Sequence, residues 1–196
     1  MYIPEKFNES DPGRLDELIA SYPFGTLVTF SDGRPFASHI PFIMHENGIL
    51  CHLAKANPQC KHLVKEKEVL CIFQGPHSYV SPSWYESPGV PTWNYAVVHV
   101  YGVPSIIDNT SALAILVERF TRHFEAGNSN PWKPDYDEHL LSAIVGISIH
   151  VTEIQGQFKL SQNRRQVGRE KVMKRLESTG DPLSIEVTKL MKKCTS

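Results

Sequence analysis

The sequence predicts an α+β fold in which a mainly antiparallel β-barrel carries helices on its periphery. One observation is a pair of tight-turn signals, Asp32-Gly33 and Asn47-Gly48, which separate short apolar runs near the N-terminus. Another is a pair of β-branched and aromatic runs, 92–107 and 143–158, that are much longer than an ordinary strand. The third is helical apolar spacing outside the strands, most clearly at 111–124.

The first predicted element is a helix that begins at Ser10-Asp11-Pro12 and extends to Tyr22. Its first residues supply a capping side chain and early negative charge, and the proline stands where no amide donor is needed. Leu15, Leu18 and Ile19 then form one apolar face, which we expect to pack against the barrel.

Three strands with the pattern of an antiparallel meander follow, at 24–30, 35–45 and 49–54. The turns between them are 31–34 and 46–48, because Asp-Gly and Asn-Gly between apolar runs favour hairpins. A meander of this kind begins a small barrel or a sandwich.

Further elements continue the barrel and its helices. They are a short helix through His62 and Leu63, a strand at 68–73 ending at Gly75-Pro76, the strand 92–107, a helix at 111–124, a short helix at 138–141, the strand 143–158, and helices at 162–177 and 182–193. Alternation along 92–107 puts Trp93 and Tyr95 on one face and Asn94 and Ala96 on the other, and we expect both faces to be covered.

An aromatic, proline-rich loop precedes the strand that begins at Thr92. It holds Trp84 and Tyr85 between prolines, which stiffen the backbone, and Trp93 follows at its end. A rigid aromatic loop of this kind serves either as a hydrophobic lid over the core or as a stacking surface for a flat ring ligand. The loop alone leaves both interpretations open.

Composition and charge narrow the class of protein. Hydrophobic residues make up 41% and charged residues 21%, as in an ordinary globular protein rather than a disordered one. The segment from Lys159 onward has ten Lys and Arg against four Asp and Glu, whereas the first 158 residues have ten against seventeen. A basic tail on an acidic body suits a phosphate, a nucleic acid or an acidic partner surface.

The cellular compartment is also predicted. No apolar run approaches the roughly 20 residues of a membrane helix, and the acidic, proline-containing N-terminus is unlike a signal peptide. The four cysteines form no CxxC pair, and Cys51 and Cys71 fall within strand-like runs as small apolar residues. We therefore expect a cytoplasmic protein with reduced thiols and no membrane partner.

The segment from His52 to Gln59 is the first candidate site. A strand end, the Lys55 ammonium, the amides of Asn57 and Gln59 and the free backbone amides of a helix start converge there, a combination that suits a phosphate. The alternative is a polar strand-to-helix turn without a ligand. Gly-rich phosphate loops of the P-loop or dinucleotide-binding type do not occur in the sequence.

The segment from Lys159 to Arg165 is the second candidate. Ser161 is the predicted N-cap of the helix that begins at Gln162, so one interpretation is a capped helix with solvated arginines. The other is a polar cluster that closes over a ligand or a partner subunit. His39, His52, His77 and His99 match no metal spacing and we interpret them as structural, and no nucleophile motif is found.

Seven sequence segments, in order along the chain, resemble the hallmark segments of PaiB-type FMN-binding negative transcriptional regulators. They are MYIPEKF, SHIPF, HLAKANPQ, FQGPHSYVSPSWY, VPTWNYAVVHVYG, IVGISI and KLSQNR. The resemblance runs from Met1 to about Leu176, and the segment after Ser178 carries no hallmark.

The resemblance implies an FMN-binding split β-barrel that forms a homodimer with flavin in a cleft at the subunit interface. Three groups of residues would hold the cofactor. The flavin ring system would lie along Ser38, His39, Ile40 and Pro41; the phosphate end would meet His52, Leu53, Ala54, Lys55, Asn57 and Gln59; and Trp93, Asn94, Lys159, Gln162 and Asn163 would close the site. The chain departs from the serine-arginine-lysine phosphate cluster of pyridoxamine-phosphate oxidases, since Lys55-Ala56-Asn57 stands in its place.

The function implied is that of a ligand-binding transcriptional repressor rather than an enzyme. Two alternatives remain: a flavin- or haem-dependent oxidoreductase on the same barrel, and a dimeric barrel that binds nothing specific. DNA is a partner by the family resemblance alone, because no helix-turn-helix, zinc finger or basic zipper is found in the sequence. We expect a split-barrel domain at 1–160 and a helical extension at 161–196 that packs on the barrel or on the partner subunit.

Overall fold

The protein is described here by a computed structural model, which covers residues 1–46, 48–63, 67–85, 88–134 and 138–194, with Glu138 described by its backbone alone. Within these residues the strands are β1 (Asn8–Glu9), β2 (Phe24–Ser31), β3 (Arg34–Pro41), β4 (Ile43–His45), β5 (Gly48–Ala54), β6 (Val69–Val80), β7 (Thr92–Ile107) and β8 (Ile144–Lys159). The α-helices are α1 (Pro12–Ser21), α2 (Thr110–Glu125), α3 (Gln166–Ser178) and α4 (Pro182–Lys193). Short 3-10 helices lie at Glu5–Phe7, Pro58–His62, Pro82–Trp84 and Glu138–Ala143.

The strands form one eight-stranded sheet in the order β3-β2-β6-β7-β8-β5-β4, and β1 pairs with β8. The pairs β1–β8, β2–β3, β2–β6, β4–β5 and β5–β8 are antiparallel. The predicted α+β class, a mainly antiparallel sheet with helices outside it, is therefore confirmed.

The N-terminal hairpins differ from the predicted continuous meander. The strand predicted at 35–45 is interrupted at Phe42, so that β3 pairs with β2 while β4 pairs with β5. The Phe42 backbone N–H donates to the Pro23 carbonyl, and its fully buried ring packs edge-on against Phe73, with 5.1 Å between ring centroids. Burial of this ring ends one hairpin and starts the next. Asn47, in the second predicted turn, lies outside the described residues.

The chain forms two compact units: the first comprises 1–21, 74–98 and 155–196, and the second comprises 22–73 and 99–154. The second unit has a core of buried side chains in which α2 packs on the β4–β5 hairpin. Its members are Ile43, Leu50, Leu113, Leu116, Phe120 and Leu141. The predicted apolar face of α2 is confirmed, and Asn109 caps the helix by accepting from the Ala112 N–H at 3.2 Å.

The first unit buries the predicted face of α1 and the inner faces of the C-terminal helices. Leu15, Leu18 and Ile19 are buried on α1, and the Asp11 carboxylate caps it by accepting from the Arg14 N–H at 2.8 Å. The strand predicted to stop at Gly75-Pro76 continues to Val80. A side chain at Gly75 would meet Leu18 at 2.9 Å, so glycine allows α1 to approach the continuing strand.

Alternation along β7 follows the prediction. From Trp93 to Pro104, the face that contains Asn94, Ala96, Val98 and Val100 is buried and the other face is half-buried except at the exposed Trp93, whereas Ser105 and Ile106 at the end of the strand are exposed. In the described residues, no helix is both long enough and apolar enough to cross a membrane.

Candidate functional site

The predicted site residues divide between the two units. Ten of them, from Ser38 to Gln59, belong to the second unit, and the other five, from Trp93 to Asn163, belong to the first. Each group is described within its own unit.

In the second unit, a hydrogen bond joins the predicted ring strand to the predicted phosphate turn. The Asn57 amide donates to the Ser38 hydroxyl at 2.9 Å, and the Asn57 carboxamide oxygen accepts from the Gln59 N–H at 2.9 Å. Asn57 therefore uses one end of its side chain to start the 3-10 helix and the other to hold β3. These contacts bring Ser38, Asn57 and Gln59 together in space.

Gln59 supports this turn from inside the second unit. Its side chain is fully buried, and its amide lies 3.0 Å from the Leu27 carbonyl, 3.1 Å from the Thr29 hydroxyl and 3.3 Å from the Phe36 carbonyl. These acceptors belong to β2 and β3, so Gln59 fixes the turn to the hairpin. Gln59 thus positions the other site residues.

Lys55 projects from the same turn. Its side chain is exposed, whereas its backbone N–H donates to the Ala143 carbonyl at 2.8 Å and so fixes the backbone beneath it. The neighbouring Ala54 is exposed and its carbonyl accepts from the Asn57 N–H at 2.8 Å. Because the backbone at Lys55 is fixed beside the start of a 3-10 helix, the Lys55 ammonium can bind an anion with a modest loss of conformational entropy.

The exposed His39 ring is oriented by Thr26, which the sequence analysis missed. The Thr26 hydroxyl and His39 Nδ1 lie 2.9 Å apart, across the β2–β3 hairpin. The Asp32-Gly33 dipeptide was the sequence signal that could have identified Thr26. Asp32 and Gly33 have φ values of 53° and 74°, as a two-residue hairpin turn requires, and a two-residue turn at this position places Thr26 opposite His39.

His52, Ile40 and Leu53 give the site its apolar support. Ile40 and Leu53 are buried. The His52 ring stands edge-on to Phe120 with 5.2 Å between centroids, and burial lowers the pKa of His52 below its usual value. His52 is therefore neutral at pH 7 and serves as a packing residue beneath the turn.

The outer face of the β2–β3 hairpin is apolar around the His39 ring. Phe24 is 68% exposed and Phe30 is 65% exposed, and the hairpin register sets Pro41 opposite Phe24 and Pro35 opposite Phe30. Two solvent-facing phenylalanine rings thus lie at the two ends of β2, each opposite a proline, and exposed apolar surface of this kind is what a partner covers.

In the first unit, Trp93 belongs to an exposed aromatic cluster. Its ring centroid lies 6.2 Å from that of His77 and 6.0 Å from that of Tyr79, and Trp93 itself is 52% exposed. Neither His77 nor Tyr79 was among the predicted site residues. Their place on β6, which neighbours β7 in the sheet, brings them to Trp93. Sequence spacing alone cannot reveal such a pairing.

Asn94 points the other way and is buried. Its carboxamide oxygen accepts from the Ser161 hydroxyl at 3.1 Å, and its amide lies 3.5 Å from the Met191 sulfur. Ser161 is not a helix cap, so that prediction is wrong: α3 begins at Gln166 with Arg165 at the cap position. Ser161 has a φ of 62°, and its hydroxyl is directed to Asn94 instead of to a helix start.

Lys159 lies beside Trp93 on the neighbouring strand. Its ammonium donates to the Thr92 hydroxyl and to the Trp93 carbonyl, and burial, with a smaller contribution from the Arg164 charge, lowers its pKa. Gln162 bonds locally, accepting from the Leu160 N–H and donating to the Phe158 carbonyl. Lys159 thus stabilises the backbone that carries Trp93.

Among the described residues, His, Cys, Asp and Glu side chains form no group of three that could hold a metal ion. Asn163, the last predicted site residue, is exposed at the turn after β8. What these two groups offer chemically is a tethered cation, amide and hydroxyl groups, and flat apolar surfaces.

Known proteins share both the sequence and the fold. A family model described as "Putative FMN-binding domain" matches residues 1–153. The chain is 36% identical over 203 residues to "Protease synthase and sporulation protein PAI 2" of Bacillus subtilis (strain 168), covering 97% of this chain and 96% of that protein. This relative is matched along nearly its whole length.

Two solved structures have a similar fold. The flavocytochrome Anf3 from Azotobacter vinelandii has a TM-score of 0.63 at 15% identity, covering 78% of this chain and 69% of that chain. The FAD and haem binding protein from Mycobacterium smegmatis has a TM-score of 0.65 at 17% identity, covering 78% and 73%. The predicted family and the split-barrel fold are therefore confirmed, and the chain belongs to the FMN-binding domain family as a homologue of the Bacillus subtilis PAI 2 protein.

Proposed function

We propose that the protein binds FMN as a homodimer and acts as a flavin-dependent regulator rather than through turnover of a substrate. The observation that carries the proposal is the Ser38–Asn57 hydrogen bond, which joins β3 to the Lys55–Gln59 turn. In a chain of the FMN-binding family, this bond supports a site in which β3 meets the flavin ring and the adjoining turn meets the phosphate.

The phosphate end of FMN would meet the Lys55 ammonium. FMN carries a phosphate on a flexible ribityl chain, so a cation and backbone amides near the end of a strand suit it. The pyridoxamine-phosphate oxidase pattern uses other side chains, and Lys55 alone among the cations of this turn would take their role here.

The flavin ring would lie along β3, with the exposed His39 side chain facing it and Ser38, on the opposite face of the strand, held to the turn by Asn57. Among the strands that the structure describes, β3 stands at one end of the strand order, so its outer backbone groups meet no further strand in that order. Such groups suit the carbonyl and N–H positions at the edge of a flavin ring. Ile40 and Pro41 would supply apolar contact.

A second copy of the chain is the proposed occupant of the apolar β2–β3 face. Phe24 and Phe30 lie on β2, and the neighbouring strand β3 carries Ser38 and His39. A subunit that covers the two phenylalanine rings would therefore also cover β3, along which the flavin would lie. Burial of exposed apolar surface stabilises the dimer and excludes water from the flavin. The fold of the family therefore supports a site completed by dimer formation.

Haem is the second candidate ligand, and His39 is the observation that favours it. His39 is exposed, and because its Nδ1 pairs with Thr26 the Nε2 side is directed away from that bond. A histidine oriented in this way can ligate iron. A Soret band that forms with the parent protein and is lost in His39→Ala would support haem, and a flavin-type spectral shift without a Soret band would support FMN.

Two further features of the proposal concern location and partners. All four cysteines are free thiols, and burial raises the pKa of the Cys51 and Cys71 thiols. Unpaired cysteines suit a reducing compartment, which supports a cytoplasmic location. DNA binding stays a prediction from the family resemblance, and a regulatory effect through another protein is equally compatible with a ligand-binding dimer.

Trp93→Phe separates a ligand-bordering role of Trp93 from a core role. Trp93 is half exposed and packs beside His77 and Tyr79, so phenylalanine should leave the melting temperature nearly unchanged. If the indole borders the flavin, the variant should alter FMN affinity or the quenching of flavin fluorescence. The measurement is a fluorescence titration with FMN, with Trp132→Phe as the control. Binding and quenching equal to those of the parent would contradict a ligand-bordering Trp93.

A further inference from the structure

The second unit contains an apolar groove that the flavin proposal does not use. It has a volume of about 250 Å³ and lies between α2 and the strands β4, β5, β7 and β8. We call it the α2 groove. Its apolar lining consists of Leu50, Ile107, Ala112, Ile115 and Leu116, and its polar lining of His45, Arg119 and Ser148. These residues are distinct from those assigned to FMN.

The apolar lining of the α2 groove is held in place by the core of the unit. Leu50 and Leu116 are buried members of that core, and the half-buried Ile107 packs against it. Leu50 pairs with Ser148 across β5 and β8, so their side chains lie on the same face of the sheet. A ligand would therefore meet packed, fixed apolar side chains with one hydroxyl among them.

The helical side of the groove ends in a cation. Ala112, Ile115, Leu116 and Arg119 stand at i, i+3, i+4 and i+7 along α2, so they share one face of the helix. Ile115 is 54% exposed, which leaves apolar surface on this face for a ligand to cover. The groove is thus apolar along its length and positively charged at the Arg119 end.

The Arg119 guanidinium is oriented by the His45 ring. Its Nη1 lies 2.6 Å from Nε2 and 3.0 Å from Nδ1 of that ring. The described residues give the guanidinium no other hydrogen-bond partner, so Nη2 and Nε keep their N–H groups for a ligand. These two nitrogens form an edge that can hold a carboxylate through two parallel hydrogen bonds.

Acidic side chains of α2 do not neutralise Arg119. Its neighbours on the same helix face, at i−4, i−3, i+3 and i+4, are Ile115, Leu116, Arg122 and His123. The adjacent Glu118 pairs with Arg122 at 2.5 Å. Among the described residues, Arg119 forms no ion pair.

Glu46 is the carboxylate on the other side of the groove. Its Oε1 lies 3.6 Å from Nε2 of His45, and its side chain is 81% exposed. Because this carboxylate is solvated and contacts the histidine rather than the guanidinium, it repels an anion weakly and leaves the Nη2 and Nε edge of Arg119 open.

We infer that the α2 groove binds a small apolar monocarboxylate, with the carboxylate on Arg119 and the apolar part against Ile107, Ile115 and Leu116. One guanidinium matches one carboxylate in charge and geometry. An apolar cavity of about 150 Å³ holds a benzene ring, so a groove of about 250 Å³ has room for a ring and a short acid side chain. The groove is a second ligand site, separate from the residues assigned to FMN.

Calorimetric titration of the full-length protein with phenylacetate tests the inference, with phenylacetamide and acetate as partial probes. Phenylacetamide has nearly the same shape without the charge, and acetate has the charge without the ring. We expect saturable binding of phenylacetate, and binding of each partial probe weaker by about tenfold or more. Lack of phenylacetate binding at millimolar concentration would overturn the inference, as would phenylacetamide or acetate that binds as tightly. Full competition by FMN would overturn the assignment of a separate site.

Variants localise the site. Arg119→Gln should weaken phenylacetate binding by about tenfold or more, whereas Arg34→Gln, which removes the same charge from an exposed position on β3, should leave it within about twofold. Ile115→Asp places a carboxylate four residues before Arg119, where it can pair with the guanidinium, and should abolish binding, while Ile115→Leu should retain it. Equal affinities for Arg119→Gln and Arg34→Gln, with native melting temperatures, would show that phenylacetate binds elsewhere.

Discussion

Aspartate at both Phe24 and Phe30 is expected to convert the proposed dimer into a monomer. The two rings are 68% and 65% exposed in the chain, so the variant should fold with a nearly unchanged monomer structure. Burying one phenylalanine stabilises an interface by about 1.5–3 kcal/mol, and the dimer contains each ring twice. Loss of these contacts, together with the cost of desolvating carboxylates, should raise the dimer dissociation constant by about a thousandfold or more.

Sedimentation velocity over a wide concentration range measures this effect. Ile115→Asp/Val167→Asp is the matched control, because it places the same two charges at apolar side chains that are 54% and 51% exposed elsewhere on the chain. We expect the control to remain dimeric. If the parent protein sedimented as a monomer at micromolar concentration, the proposed dimer would be ruled out. If the Phe24/Phe30 variant remained a dimer, the interface would have to lie on another face.

Lys55→Ala is expected to weaken FMN binding by about tenfold or more. A charge-assisted bond from an ammonium to phosphate contributes on the order of 1–3 kcal/mol, and Lys55 is exposed on a backbone held by Ala143. Because the side chain supports no core contact, the melting temperature of the ligand-free variant should match that of the parent. The loss of affinity should shrink at high salt, since screening weakens the bond in the parent.

Lys61→Ala is the control for this change. Lys61 is exposed on the 3-10 helix Pro58–His62 of the same turn, so its removal lowers the local charge equally without deleting the proposed phosphate contact. An FMN titration should show the parent's affinity for Lys61→Ala. If Lys55→Ala also bound FMN like the parent, Lys55 would have no role at the phosphate.

Local sequence signals predicted the elements whose partners are close along the chain. Asp32-Gly33 fixed both the turn and the register of the β2–β3 hairpin, and the alternation along 92–107 matched the buried face of β7. Asp11 caps the start of α1, as expected. In each case, the deciding interaction lies within a few residues or follows from a fixed two-residue period.

Features decided by distant contacts escaped the sequence analysis. The break at Phe42 depends on Phe73, the passage of β6 through Gly75 depends on Leu18, and the role of Ser161 depends on Asn94. No local pattern encodes these partners. For the same reason, only the family resemblance placed Ser38 and Asn57 in one site. The packing of His77 and Tyr79 against Trp93 was not predicted.

An absorbance titration of the purified protein with FMN is the sharpest test of flavin binding, because it reports both the cofactor and its stoichiometry. We expect a saturable flavin-type spectral shift that ends at one FMN per chain, with two sites per proposed dimer. It also predicts that the shift weakens in Ser38→Ala/Asn57→Ala, which removes the hydrogen bond between β3 and the turn. A spectrum that remains that of free FMN at all protein concentrations would show that the protein does not bind FMN.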